Sequence, residues 1–224
     1  IIRLIDAIDN HLSEFSHEII VIDDDSPDKT WQLVAKKIET SPHVRLICRT
    51  TEQGLTSAYN RGIDESRGDV LVWMDCDFSH PPEKIPEMLS LLSDEVHAVV
   101  ASRYKSGGKD MRGSLLNLPV FLSWLLSEMT IRILGINVRD VTSGFIAIDR
   151  QALRSIKGLR GDYGEYFIDL VYRVIQNGYH IIEIPYNCVP RQYGESKTAT
   201  STWGFIRRGV KYLRTVALLK LMKK

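Results

Sequence analysis

The sequence predicts an α/β fold with a mainly parallel central sheet and helices on its flanks. Two patterns predict it. Short apolar runs suited to buried strands alternate with amphipathic segments, the order in which crossover units assemble a parallel sheet. Acidic residues also follow two of these runs directly, Asp23, Asp24 and Asp25 after the first and Asp75 and Asp77 after the third. In open α/β sheets, ligands collect outside the carboxyl ends of the strands.

Along the chain, Ile1, Ile2, Leu4, Ile5, Ile8, Leu12 and Phe15 recur at helical spacing. Glu18 to Ile22 reads as a short buried strand. Asp28 is placed to cap a helix from Lys29 to Ile38, since its side-chain oxygen can take a free N–H of the first turn. A strand at Val44 to Cys48, a helix at Leu55 to Glu65 and a strand at Val70 to Met74 follow. Another helix starts after Pro81 and Pro82, and Ala98 to Ser102 gives the fourth strand. The second half is less regular: an apolar helical region near Leu115 to Leu134, a strand at Phe145 to Ile148, a helix across Tyr166 to Gln176, a strand at Tyr179 to Ile184, and a last helix from Trp203. Because the chain opens on a helix, this reading places the first strand of the sheet upstream of Ile1.

The 224 residues are enough for one large α/β core. Hydrophobic residues make up 44% and charged residues 25%, the profile of a globular protein rather than a disordered one. A formal charge of +1 gives no reason to expect a nucleic-acid partner. The charge is uneven, however. Glu195 is the last acidic residue, and Lys197, Arg207, Arg208, Lys211, Arg214, Lys220, Lys223 and Lys224 follow it among apolar residues, a composition that suits contact with anionic lipid. Trp203, Ile206, Val210, Leu213 and Ala217 form a 3-4 stripe expected to pack on the domain. Cys48, Cys76 and Cys188 are too scattered for a disulfide framework or a C-x-x-C knuckle, which reads as a reducing compartment. No secretory signal is expected, and no apolar stretch reaches the roughly 20 residues that span a bilayer. The nearest approach, Leu115 to Leu126, is broken by Asn117, Pro119 and Ser123.

The sharpest local signal is Trp73-Met74-Asp75-Cys76-Asp77, an apolar strand ending in two carboxylates two positions apart. Residues i and i+2 of an extended chain share a side, so both acids can approach one cation. Oxygen ligands of this kind suit Mg²⁺ or Mn²⁺, which bridge carboxylates to substrate phosphates. The alternative is a pair of acids that merely solvates a strand end. Ser79 is close enough to support the pair, whereas His80 reads as a turn residue facing water. Asp23 and Asp24 present a similar choice. They belong either to a strand-to-helix turn with Asp25-Ser26-Pro27-Asp28, or to a site accepting hydrogen bonds from a nucleobase edge or ribose. Arg103, directly after the fourth strand, and Arg191 with Lys197 around Gly194 are the basic groups placed to meet phosphate oxygens, or else surface charges.

These residues carry a pattern. The segments IIVIDDDSPDKT, RTTEQGLTSAYNRGIDESRGDVLVWMDCDFSHPP, SRY, DVTSGF and EIPYNCVPRQYGESK occur in an order that resembles the dolichyl-phosphate or polyprenyl-phosphate mannosyltransferase branch of the inverting glycosyltransferase family 2. The resemblance covers nearly the whole chain and implies a GT-A-like nucleotide-binding fold. It implies nucleoside contacts at Asp23 and Asp24, and a metal pair at Asp75 and Asp77 holding Mg²⁺ or Mn²⁺, with the cofactor-binding Ser79 in the position after it, where some relatives carry Gln and others Ser. It also implies donor or acceptor phosphate contacts at Arg103, Ser123 and Arg191, with Lys197 close enough to assist. Asp77, Arg103 and Arg191 would be the catalytic groups. Two departures stand out. The family opens with a strand ending in P-x-Y-N-E that has no counterpart here, and Pro119 stands where close relatives carry a basic residue about one turn before the serine matched to Ser123, so that either Arg112 serves instead or the loop around Gly107 to Gly113 is shorter than theirs.

The activity so implied is inverting transfer of mannose from GDP-mannose to dolichyl or another polyprenyl phosphate, with the metal stabilising the departing nucleotide. An acceptor phosphate is already anionic and needs alignment and charge balance rather than a strong base. The acceptor implies a membrane surface as partner and a peripheral location on its cytoplasmic face. On this reading residues 1–202 form the catalytic domain and 203–224 a basic amphipathic helix. The alternatives are a family 2 transferase using UDP-glucose or another donor, and a noncatalytic nucleotide-sugar-binding subunit.

Overall fold

The computed structural model describes residues 1–112, 118–190 and 202–222. The first half runs α1 (Ile2–His11), β1 (Ile19–Asp23), α2 (Thr30–Ile38), β2 (Val44–Cys48), α3 (Leu55–Glu65), β3 (Val70–Trp73), α4 (Ile85–Ser90) and β4 (Ala98–Ser102). The second half runs β5 (Lys109–Asp110), α5 (Leu118–Leu134), β6 (Ile146–Asp149), α6 (Arg150–Ser155), α7 (Tyr166–Gln176), β7 (Ile181–Pro185), β8 (Asn187–Cys188) and α8 (Thr202–Met222).

All five residues of β4 are buried, and they alternate between two cores as extended chain must. Ala98 and Val100 face a cluster that includes Ile146, Ile148, Phe167, Leu170 and Val174. Val99 and Ala101 face a second cluster with Phe145, Ala147, Ile85 and Met88. A strand covered on both faces reads as a continuous apolar run, which is why AVVAS shows no polar alternation. α7 supplies much of the first cover and α4 part of the second.

The main sheet has the order β3–β6–β4–β7. β4 and β7 pair in parallel, as do β1 and β2, while β6 runs against both of its neighbours, β3 and β4. The main sheet therefore contains one reversed strand, which makes two of its three ladders antiparallel. Its cause is the path of the chain: residues 135–145 return from α5 to the carboxyl end of β4, where Val100 pairs with Ile146 and the Ala101 N–H donates to the Phe145 carbonyl at 3.0 Å. β6 thus begins where β4 ends, and the segment Asp140 to Gly144 is delivered to that edge.

β1 and β2 form a ladder of their own, from Ile19 opposite Val44 to Asp23 opposite Cys48, beneath a small core of Ile5, Val34 and Val44. α3 connects this pair to the main sheet. It packs on β1, and its Tyr59 ring lies 5.7 Å from Trp73 and 5.2 Å from Tyr166. The Trp73 indole N–H donates to the Tyr166 hydroxyl at 3.1 Å.

Three local features differ from the sequence reading. Asp28 does accept the Thr30 N–H at 3.1 Å, but the residue flanking the helix is Lys29, in a left-handed conformation at φ 59°. The two-residue strands β5 and β8, paired in parallel, and the short helix α6 are too brief to show a period. α6 nevertheless carries a local signature, since Asp149 accepts the Ala152 N–H at 2.6 Å as an N-cap. On α8 the period is right and the phase is not. The face packed on the core runs through Tyr212, Val216 and Leu219, whereas Val210 and Leu213 are 58% and 51% exposed. The helix carries two apolar rows, and the one matched to the core lies about a hundred degrees or more from the stripe read in the sequence.

Leu170 sits with no exposure in the larger core. Leu170→Ala is expected to cost about 2–5 kcal/mol in urea unfolding, whereas Leu218→Ala on the outer face of α8, half exposed, should stay within about 0.5 kcal/mol of the parent.

Candidate active site

β3 ends at Trp73, so the extended geometry that would align Asp75 with Asp77 does not continue. The chain turns instead, with Phe78 at φ 64°. The two acids take different positions in consequence. Asp77 is 9% exposed and accepts the Ser79 N–H at 2.9 Å, while Asp75 stands exposed. The Asp75 N–H donates to His80 Nδ1 at 3.0 Å. His80 does not face water as its turn position suggests. It is 3% exposed and stacked on Phe145 with ring centroids 5.0 Å apart. Accepting at Nδ1 leaves the proton of the neutral ring on Nε2. Burial lowers the pKa of this ring, the charge of Asp75 opposes that and Arg103 adds to it, and the net shift is downward. His80 is therefore a neutral post that fixes the backbone beneath Asp75. Periodicity could not find it, because it lies in a turn.

At the carboxyl end of β1, the buried Asp23 accepts the Ser26 N–H at 2.7 Å and so closes the strand-to-helix turn. Asp24 is held by Arg49, whose Nε donates to Oδ1 at 2.7 Å, and by the Gly54 N–H, which reaches Oδ2 at 2.9 Å. Gly54 has φ 134°, a conformation that favours glycine, and it opens α3. One turn further along α3, Tyr59 reaches Trp73 and feels the charge of Asp75; burial first, then the Tyr166 and Asp75 charges, push its hydroxyl well above its usual range. α3 thereby sets the acids after β1 and the acids after β3 at one edge. Arg49, 6% exposed, is an addition to the sequence-derived set; an arginine directly after β2, opposite acids directly after β1, was the available signal.

Arg103 follows β4 and is enclosed. Its Nε donates to Asp140 Oδ2 at 2.8 Å, one terminal nitrogen to Asp140 Oδ1 at 2.7 Å and to Thr142 Oγ1 at 2.8 Å, and the other reaches Asp110 at 3.3 Å. Burial alone would favour loss of its charge, but Asp140 more than offsets this and holds the guanidinium protonated, well above its ordinary range. Asp140 is wholly buried, and its own N–H and that of Arg139 donate to the Glu183 carboxylate, each at 2.9 Å. Thr142 leads on to Ser123 at 2.9 Å, and the Tyr104 hydroxyl donates to Ser123 at 3.1 Å. Arg103 and Ser123 are thus joined through Thr142. Arg112 is bound to Asp110, with its Nε 3.0 Å and a terminal nitrogen 2.7 Å away. Arg191 and Lys197 lie outside the described residues.

The donor set at the end of β3 fits a hard divalent cation. It offers carboxylate oxygens, one group exposed and one buried, and the adjacent imidazole uses its Nδ1 lone pair on the Asp75 N–H. That chemistry suits Mg²⁺ or Mn²⁺ better than a softer metal.

A central sheet covered by helices on both faces is the α/β arrangement of GT-A-like nucleotide-binding folds. Residues 1–157 match the model of glycosyl transferase family 2, and the chain belongs to that family. It is 33% identical to a dolichol-phosphate mannosyltransferase of Pyrococcus furiosus over 89% of its own length and 56% of that protein's. It is 35% identical to an undecaprenyl-phosphate mannosyltransferase of Micrococcus luteus over 80% of its length and 75% of that protein's. Its fold is similar to that of glucosyl-3-phosphoglycerate synthase from Mycobacterium tuberculosis, solved with Mn²⁺, UDP and phosphoglyceric acid, with a TM-score of 0.69, 18% identity, and 97% and 72% of the two chains covered. The chain thus spans little more than half of the Pyrococcus relative.

Removing one partner of a buried ion pair strands the other charge. Asp140→Asn is accordingly expected to cost about 3–5 kcal/mol in denaturant unfolding. Thr142→Val, which removes only the bridging hydroxyl from the same cluster, is expected to cost about 1–3 kcal/mol.

Proposed function

We propose that this chain is the catalytic part of a transferase that moves a sugar from a nucleotide-sugar donor to a phosphate-bearing acceptor, most specifically mannose from GDP-mannose to dolichyl or another polyprenyl phosphate. One observation carries the lipid acceptor. α5 joins the polar cluster through Ser123 and, on the same two turns, presents Phe121 and Trp124 outward, their ring centroids 6.0 Å apart and both more than a third exposed. A phosphate head group beside Ser123 would leave its hydrocarbon chain along those aromatics. Met129 and Ile133 are also exposed on α5, as are Leu213, Leu218, Leu221 and Met222 on α8, which packs against α5. An amphipathic surface bearing basic residues suits a membrane interface. No helix among the described residues is long and apolar enough to cross a membrane. The finer reading places residues 1–202 as the catalytic domain and 203–224 as a helix resting on the cytoplasmic face.

In this reading Asp24, oriented by Arg49 and Gly54, and Asp23, oriented by its turn, receive the nucleoside. Asp75 and Asp77 hold Mg²⁺ or Mn²⁺, which supplies charge neutralisation at a diphosphate leaving group when bound. Ser79 fixes Asp77 through its N–H. The acceptor phosphate is anionic near neutrality, so the protein's work is to align it and exclude water. Ser123, Tyr104 and Thr142 offer hydroxyls for that alignment, and Arg103 holds Thr142 in place while its own charge is balanced by Asp140 and Asp110. Arg191 and Lys197 are the further cations proposed for the substrate phosphates. A single displacement at the anomeric carbon inverts its configuration.

A second reading takes UDP-glucose and a soluble phosphorylated acceptor, in line with the ligands of the Mycobacterium fold relative. A third is a subunit that binds nucleotide sugar without transferring it. All three are separated by supplying labelled GDP-mannose or UDP-glucose with Mg²⁺ or Mn²⁺, and either dolichyl phosphate in liposomes or phosphoglycerate in solution. Label from GDP-mannose in the lipid fraction, reduced about a hundredfold or more by Asp77→Asn, is the expected result. Label only in phosphoglycerate supports the second reading, and donor binding without transfer to either acceptor supports the third. Trp124→Ser should lower transfer to long polyprenyl phosphates while sparing a short, water-soluble analogue. Equal losses with both would remove the lipid role of α5.

A further inference from the structure

At the amino ends of β1 and β2, opposite the acids already described, Asp9, His17 and His43 converge. Asp9 lies on α1, His17 two residues before β1, and His43 directly before β2. Both rings point at one carboxylate oxygen: Asp9 Oδ1 is 3.1 Å from His17 Nε2 and 2.8 Å from His43 Nε2. One candidate ligand atom from each of the three residues lies within 4.8 Å of the others. All three are partly buried, at 24%, 19% and 36% side-chain exposure, so an ion can reach them from solvent.

The hydrogen bonding of His17 carries the argument further. Its Nδ1 lies 2.9 Å from the Phe15 carbonyl, which can only accept, so the proton of a neutral ring sits on Nδ1. Nε2 of that ring then presents a lone pair to the Asp9 carboxylate, and two electron-rich atoms at that distance require a positive centre between them. A backbone carbonyl fixing the far nitrogen is also the arrangement that orients a metal-ligating histidine and selects its tautomer. The positive centre is either a proton on the ring or a metal cation.

We propose that Asp9, His17 and His43 form a binding site for a first-row divalent transition-metal ion, with Zn²⁺ the best fit, distinct from the acids at the other end of the strands. Two imidazole nitrogens and one carboxylate oxygen are a donor set for Zn²⁺ and its neighbours rather than for Mg²⁺ or Ca²⁺. Bonds of about 2.1 Å in a tetrahedron separate ligand atoms by roughly 3.4 Å, against 3.1 Å and 2.8 Å from Asp9 Oδ1 to the two ring nitrogens, so those two spacings would open slightly to admit an ion. Solvent would complete the fourth position. The backbone is already in place to tolerate this, because the Ile19 N–H donates to the His43 carbonyl at 3.0 Å and fixes the two strand entries together. The site lies five residues of β1, about 16 Å, from Asp23. Its role is to clamp α1 to the entries of both strands.

The test uses tag-free full chain stripped with a chelator. Co²⁺ titration followed by visible absorption and Zn²⁺ titration by calorimetry are run on the parent, on His43→Ala, on His17→Gln, and on an Asp75→Asn/Asp77→Asn double variant. The expected result is one Zn²⁺ per chain in the parent and the double variant, the intense visible bands of four-coordinate Co²⁺, and binding at least about tenfold weaker in each histidine variant. Zn²⁺ should also raise the unfolding temperature of the parent and the double variant but not of the histidine variants. The two histidine variants check one another, since either one folded by circular dichroism suffices. Absence of Zn²⁺ binding by the parent, binding that both histidine variants retain, or binding lost only in the double variant would each overturn the proposal; the first outcome would leave the cluster as a histidinium–carboxylate pair.

Discussion

A guanidinium with no access to water is stable only where negative charge and hydrogen-bond acceptors surround it, and Arg103 organises its neighbourhood on those terms. Asp140 supplies both oxygens, Asp110 a third, and Thr142 a hydroxyl. Asp140 and Thr142 come from one piece of chain and Asp110 from another, so the requirement to pair one charge ties the end of β4 to the segment before β6 and to the β5–β8 ribbon. Asp140 is in turn fixed by Glu183 of β7 through two backbone N–H groups. The reversal of β6 and the existence of a ribbon only two residues long both become intelligible as routes by which acids reach this arginine. Such a cluster is poor evidence for net stability, since apolar packing of equal volume can do as well. What it provides is a single arrangement of the edge, with Ser123 and Tyr104 extending that arrangement onto α5.

The acids after β1 and β3 depend on a second device. Asp24 receives an N–H from Gly54 and a guanidinium from Arg49, and these bonds set the beginning of α3. One turn along, Tyr59 lies against Trp73, at the point where β3 gives way to Asp75. Beneath Asp75, the neutral ring of His80 accepts the backbone N–H and is clamped on Phe145. The carboxylates at this edge are therefore positioned by groups that face inward, which limits how far they can rearrange.

Much of this was legible in the residues. Long elements declared themselves, because β1, β2, β4, α3 and α7 have either a clean apolar run or a clean 3.6-residue period, and the acids stood directly after strands. The homologous segments identified the family. Three kinds of information were absent. Short pieces such as β5, β8 and α6 have no room for a period. The facing partner of a buried charge was invisible, because Arg103 and Asp140 are 37 positions apart and nothing local to either marks the other. On α8 two apolar rows compete, and only the shape of the surface offered by α5 and α7 selects the one containing Val216 and Leu219. His80 belongs to the same class: a turn position gave no hint that Phe145, 65 residues later by sequence number, would cover it.

β1 and β2 raise a question of support. Among the described residues their backbone ladder joins only each other, and a two-stranded ribbon is marginal by itself in water. Helices must hold it, and the polar contacts show where they do. At the carboxyl end, Asp24, Arg49 and Gly54 lock the ribbon to α3; at the amino end, Asp9 reaches from α1 to the histidines that precede each strand. Between these ties the apolar core is small, with Ile5, Val34 and Val44 as its buried members. Partly buried Ile19, Val21 and Leu46 add to it, and Arg45 of β2 binds the Glu65 carbonyl and carboxylate at the end of α3, so the ties at the amino end bear on how firmly Asp23 and Asp24 are held at the other. The polar clusters at the two ends are therefore parts of one mechanical problem, that of keeping two acids in register with a second pair on a separate sheet.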